Sequence, residues 1–257
     1  MRADPVAEAF AAARTDERLV LLEGFHALKH ALRFGAEVVA AATPDRAALE
    51  RLAQRLAPDL RARLAVLVAE RQLEALVAQV PHTGVVAVAR RPRVDAAAVL
   101  AVATAAPVVL LEDPRRLGNV GAVVRVAAAA GAAAVLTTGS CDPWDPAALR
   151  GSAGLHFALP VGRADPARLG DRPLVVLDPD GDELGPLPPG ALLAFGSERD
   201  GVSAQLAAQA GARLRIPMRA GVSSLNLATA VAVVLYAARS GFSQRSTVQT
   251  GLIPTDS

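Results

Sequence analysis

The second half of the chain carries short, unbroken apolar runs at Val108–Leu111, Ala133–Thr137, Leu174–Leu177 and Ala191–Phe195, with a further strand expected at Arg213–Ile216, separated by stretches of helical period. An unbroken run of four or five apolar residues fits a strand covered on both faces. Strands of that kind, alternating with helices, build a parallel sheet inside an α/β fold. In open sheets of this type ligands bind beyond the carboxyl ends of the strands, so the loops after these runs are where chemistry is expected.

Composition narrows the class. With 257 residues, 52% hydrophobic and 20% charged, the chain is long enough for one large folded domain or two ordinary ones. The longest apolar stretches, such as Ala127 to Leu136, are broken by Gly131 and fall short of the roughly 18 residues a membrane span needs. Arg2, Asp4 and Glu8 interrupt any apolar leader, so a cytoplasmic protein with no membrane partner is expected. Cys141 is the only cysteine, which excludes an internal disulfide and a multi-thiolate metal centre. His26, His30, His82 and His156 share no metal-ligand spacing, and no metal is expected. Lys29 is the single lysine among 27 basic residues, and the net charge of +2 is too small to argue for nucleic acid by itself.

The first hundred residues form a smaller α/β unit in this reading. Strands are expected at Leu19–Leu22, Val38–Ala42, Leu64–Val68 and Val85–Ala89, and helices at Pro5–Arg14, His26–Phe34, Arg46–Leu56 and Gln72–Val80. The run Arg90-Arg91-Pro92-Arg93 suits an exposed connection. Domains are therefore expected at 1–95 and 107–241, joined by a linker and first helix at 96–106. A last helix from Ser224 to about Arg239 is stopped by Gly241, leaving 242–257 as a disordered tail.

Three segments of the second domain place Gly, Asn, Ser or a charge where an apolar run stops. The first is LLEDPRRLGNVGAVVRVAAAAG, with Asn119, Gly121 and Arg125. It lacks the tight Gly-x-Gly-x-x-Gly turn of a dinucleotide-binding fold, which disfavours a nicotinamide enzyme. The second, ALLAFGSERDGVS, holds Gly196, Glu198 and Gly201, and a loop carboxylate is the bland reading of Glu198. In the third, LRIPMRAGVSSLNLATAVAVVLYAARS, Ser224 reads as a helix cap, while Asn226 inside a first turn competes with the helix backbone.

In order and spacing these segments resemble the three motifs of the SpoU (TrmH-type) RNA 2'-O-ribose methyltransferases of the SPOUT class. Asn119, Gly121 and Arg125 match the first, Gly196, Glu198 and Gly201 the second, and Ile216, Pro217, Met218, Ser224, Leu225 and Asn226 the third. Arg150, Ser152 and Gly154 resemble a further run of the family, and EGFHALKHAL resembles its N-terminal substrate-binding domain. The resemblance implies a parallel-sheet SPOUT domain with a trefoil knot, preceded by a small ribosomal-protein-like α/β/α domain that binds RNA. It implies S-adenosylmethionine held around Leu193, Gly196, Ile216, Met218, Ser224, Leu225 and Asn226, with Gly196 admitting the adenosine. Arg125, Glu198, Ser224, Asn226 and Asn119 become the catalytic set, and Arg115, Arg116, Arg125 and Arg150 the RNA contacts. A homodimer acting on ribosomal RNA, in preference to transfer RNA, is the implied functional unit. A non-catalytic RNA-binding or ribosome-assembly protein of the same fold is the alternative.

Overall fold

A computed structural model describes residues 4–197 and 199–247, with side chains through Arg239. Its first sheet has the order β1 (Leu19–Glu23), β4 (Val86–Arg90), β2 (Val38–Thr43), β3 (Val68–Glu70). Strand β4 is antiparallel to both of its neighbours, and β2–β3 is parallel. Helices α1 (Pro5–Ala12), α2 (Phe25–Arg33), α3 (Arg46–Leu56) and α4 (Arg61–Leu67) surround it.

Two expectations fail here. Leu64–Val68 is not a strand: α4 runs to Leu67, burying Leu64 while Val66 is 89% exposed, and β3 begins only at Val68. Gln72–Val80 is not a helix. Leu73, Leu76 and Val77 are buried beside Phe10 with the spacing of a helical face, yet a single turn closed on the Leu73 carbonyl provides it.

The second sheet is parallel throughout, in the order β10 (Ala212–Arg215), β8 (Leu174–Glu183), β9 (Leu192–Phe195), β5 (Val108–Leu111), β6 (Ala134–Thr137), β7 (Val161–Arg163). Every residue of β5, β6 and β9 is buried. Alternate side chains serve two cores. Val109, Leu111, Val135, Leu193 and Phe195 face α6 (Leu117–Ala130) and α9 (Leu227–Thr247), while Val108, Leu110, Leu136, Leu192 and Ala194 face Leu100 and Leu206 of α5 (Ala96–Ala101) and α8 (Ala204–Gln209). Strand β7 is unforeseen, being three residues long, and Gly162 within it leaves room for Val94.

Helix α7 (Pro146–Ser152) crosses α6 backbone to backbone. A Cβ on Gly121 would lie 2.1 Å from the Ala148 carbonyl oxygen, so glycine is required by packing alone. The two sheets are pinned through this same helix. Gly154 abuts Ala27 of α2, His30 Nδ1 lies 2.7 Å from the Ala153 carbonyl, and Arg150 pairs with Glu23 at 2.8 Å. Arg91 adds a two-pronged pair to Asp142 at 2.8 and 2.7 Å, with its guanidinium 5.7 Å from the Trp144 ring centre. The first core therefore runs without a break from Leu22 and Phe25 to Val109 and Val120.

The last helix differs from expectation at both ends. It starts at Leu227, with Asn226 as its cap, not at Ser224. It also passes through Gly241 to Thr247, since an internal glycine costs a helix only about 1 kcal/mol. Residues 242–247 of the expected tail are thus helical, and 248–257 lie outside the described residues.

Candidate active site

Because the second sheet is parallel, the loops after β5, β9 and β10 leave it from one end. The first carries Glu112, which no sequence argument singled out. Its carboxylate accepts from the Ser203 amide at 2.7 Å and the Ser203 hydroxyl at 2.6 Å, tying this loop to the N-terminus of α8. Next to it Asp113 holds φ 41°, a left-handed conformation rare outside glycine, and pairs with Arg115 at 2.9 Å.

After β9 the chain closes on itself. Ser197 and Gly201 exchange main-chain hydrogen bonds of 3.1 and 3.2 Å, and a Cβ on Gly196 would fall 1.9 Å from the Gly201 carbonyl carbon. The glycine at 196 is therefore required by the chain's own turn, a different reason from the close approach to adenosine expected above. Glu198 lies outside the described residues. Leu193 sits mid-strand between paired neighbours with its side chain in the core, so it forms the floor below the loop.

The loop after β10 behaves differently from the other two. Ile216 packs partly against the core, whereas Met218, Val222 and Leu225 are 36%, 49% and 38% exposed. Ser224 makes no hydrogen bond among the described residues. Among the described residues the loop's main chain makes one internal hydrogen bond, Val222 amide to Arg219 carbonyl, and its exposed apolar side chains beside the other main-chain groups form a surface suited to an adenine ring and an amino-acid tail. The donor set thus fits S-adenosylmethionine.

Asn226 joins the first and third motifs. Its Oδ1 accepts from the amides of Ala228 and Thr229 at 3.0 and 3.4 Å, which makes it the cap of α9. The same side chain donates from Nδ2 to Asn119 Oδ1 at 3.2 Å, bridging to the first turn of α6. The competition with helix backbone expected at this residue is resolved by placing it one step outside the helix. Two turns along α6 from Asn119, Arg125 is exposed, with no hydrogen bond or ion pair among the described residues. Arg116 is also exposed, and Arg150 is engaged with Glu23. No group of three potential metal ligands occurs among the described residues.

A parallel α/β sheet with this set of loops has the SPOUT methyltransferase fold. The crystal structure of AviRb, a SpoU methyltransferase of Streptomyces viridochromogenes, superposes with a TM-score of 0.74 at 26% identity, covering 93% of this chain and 98% of that one. An RNA 2'-O ribose methyltransferase superposes at 0.69 with 27% identity, covering 93% and 95%. The model of the SpoU rRNA Methylase family matches residues 106–236, and the chain belongs to that family. Among curated relatives, the 23S rRNA (adenosine(1067)-2'-O)-methyltransferase of Streptomyces laurentii is 35% identical over 141 residues, 50% of this chain and 52% of that protein. The 23S rRNA (guanosine(2553)-2'-O)-methyltransferase RlmP of Bacillus subtilis is 32% identical over 144 residues, 52% and 58% of the two chains. This chain spans about half the length of the curated relatives it matches.

Proposed function

We propose that this protein transfers a methyl group from S-adenosylmethionine to a ribose 2'-hydroxyl of ribosomal RNA. The observation that carries the reading is the Asn119–Asn226 bridge, which brings two motifs 107 residues apart to one end of the sheet, near the uncommitted guanidinium of Arg125. The 23S rRNA specificity in the names of the relatives supports ribosomal over transfer RNA.

S-adenosylmethionine, when bound, supplies an electrophilic methyl. Ile216, Met218, Ser224, Leu225 and Asn226 hold it in this reading, with the Gly196 turn as a wall above Leu193. Arg125 is assigned to an RNA phosphate and to the negative charge that builds on the 2'-oxygen. A guanidinium stays protonated in proteins, so Arg125 binds and stabilises without accepting the proton. Glu198 and Ser224 are assigned to proton transfer, and Asn119 to holding the loop in register with Asn226.

The same reading makes residues 1–95 the RNA-binding part, 96–106 the connection and 107–241 the transferase part, with Arg115, Arg116 and Arg150 as further RNA contacts. It places the C-terminal segment in the family's trefoil knot and the protein in the cytoplasm as a homodimer. Val233 and Tyr236, 39% and 49% exposed and one turn apart on α9, support an apolar face for a second copy. No helix among the described residues is long and apolar enough to cross a membrane.

The test is transfer of label from methyl-labelled S-adenosylmethionine to unmodified ribosomal RNA, followed by alkaline hydrolysis. Label in alkali-resistant dinucleotides is the expected result, and Arg125→Ala abolishes it while cofactor binding by calorimetry persists. Absence of both incorporation and cofactor binding overturns the catalytic reading in favour of an RNA-binding protein of the same fold.

A further inference from the structure

Close to Arg125, but contributed by the other sheet, lies a cluster of nitrogen bases that the reading above leaves unused. His26 is the second residue of α2 and is exposed. One turn on, Lys29 is 8% exposed, and its Nζ lies 3.3 Å from His26 Nδ1. That is the one side-chain hydrogen bond of Lys29 among the described residues, and no carboxylate there forms an ion pair with it, Asp59 acting on it only through its charge. Helix α2 packs against the segment 153–157 just after α7, and α6 packs on α7 itself, so His26 and Arg125 come into the same neighbourhood from different parts of the chain.

The chemistry of this cluster points to an anion. The charges that act on His26 come from Lys29, Arg125 and His82, and no acid is among them. Two carboxylates of the same region are already paired, Asp59 with Arg33 and Glu23 with Arg150. Gathering basic groups around a ring on which no acid acts is unfavourable in the free protein and becomes favourable once a negative ligand arrives. Lysine also settles which tautomer His26 adopts. An ammonium only donates, so Nδ1 must accept and the ring proton sits on Nε2. The imidazole is thereby fixed as a neutral N–H donor.

We propose that His26, held as its Nε2–H tautomer by Lys29, grips together with Arg125 one backbone phosphate of the substrate RNA, making His26 a positioning residue that the N-terminal sheet lends to the methyl-transfer site. This rests on the proposed RNA methyltransferase activity. It assigns to the single lysine of the chain a task that arginine would perform poorly, since a guanidinium pairs best with a two-oxygen partner and a compact ammonium suits one ring nitrogen.

The experiment measures affinity for in vitro transcribed 23S rRNA by filter binding over a series of KCl concentrations, alongside kcat and KM for label transfer. His26→Ala should weaken RNA binding about tenfold, the worth of one hydrogen bond to a charged group, and raise KM more than it lowers kcat. His26→Gln, which keeps an N–H in reach, should recover most of this loss, and Lys29→Met should reproduce part of it. Because the imidazole is neutral, His26→Ala should leave the salt dependence intact, whereas Arg125→Ala should lower the logarithmic slope by about 0.7 to 0.9. The double variant should bind better than the product of the two single losses predicts, since both lose the same phosphate. Unchanged RNA affinity in His26→Ala, or strictly multiplicative losses, overturns the proposal while label transfer stands. His26-dependent RNA affinity with neither label transfer nor cofactor binding overturns the activity and the positioning role and leaves the phosphate grip.

Discussion

Acidification from pH 7 to pH 4.5 should destabilise this protein mainly through one buried histidine. His156 is 1% exposed, its Nδ1 lies 2.7 Å from Ser152 Oγ and its Nε2 2.8 Å from the Pro143 carbonyl, and the Trp144 ring is 5.0 Å away between centres. Burial holds the imidazole neutral and pushes its pKa down from 6.5 to about 4. The sign follows from proton counts. Below pH 6.5 the unfolded chain binds a proton that the folded chain refuses until about pH 4, so the stabilisation is complete above 6.5 and is lost as pH falls towards 4. A gap of about 2.5 pH units at about 1.4 kcal/mol each gives roughly 3 kcal/mol, or about 6 to 12 °C in Tm for a chain of this size. His26 and His30 are also shifted down, chiefly by partial desolvation of their rings, and act in the same direction. The informative quantity is therefore the difference between wild type and His156→Gln, whose amide replaces both hydrogen bonds and does not titrate. Urea unfolding at half-unit pH steps should show the variant less stable by about 1 to 3 kcal/mol at pH 7.5 and level with wild type near pH 4.5. Parallel curves across the range, or a His156 ring resonance that titrates near 6.5 by NMR, would refute the reasoning.

Three further perturbations separate structure from chemistry. Asn226→Ala removes a helix cap and should cost about 0.5 to 2 kcal/mol, whereas Asn226→Asp keeps the cap, loses the donation to Asn119, and should hold Tm while label transfer falls. Gly196→Ala forces a methyl into the Gly201 main chain and should abolish cofactor binding in calorimetry with a Tm drop of several degrees, about 2 to 4 °C for each kcal/mol lost. Arg91→Met removes the pair to Asp142 and the contact with Trp144 and should cost about 1 kcal/mol in urea unfolding, less at high salt, because Asp142 is half exposed.

Strands β5, β6 and β9 were legible because every position in them is buried, so unbroken apolar runs mark them without help from the rest of the fold. Strand β7 was not, since three residues containing a glycine and an arginine carry no period. The errors at Leu64 and Gln72 share one cause: short apolar spacings report burial, and burial alone does not select strand, helix or turn. Arginine roles were the least legible. Glu37, Asp142 and Glu23, lying 51 to 127 residues away, fold back to pair with Arg90, Arg91 and Arg150, partners that no local pattern announces. The Asn119–Asn226 bridge was accessible only through resemblance, and the position of His26 beside Arg125 depends on how two sheets dock, which no local pattern encodes.

The single tryptophan of the chain lies where Arg91 of one sheet unit meets the other. Its indole donates to the Val161 carbonyl at 2.9 Å and is bordered by the His156 and Phe157 rings. The molecule thus contains a native fluorophore at the junction of its two sheet units. Emission intensity and wavelength register separation of the two units and charging of the neighbouring imidazole, so both events can be followed in stopped flow without attaching a dye.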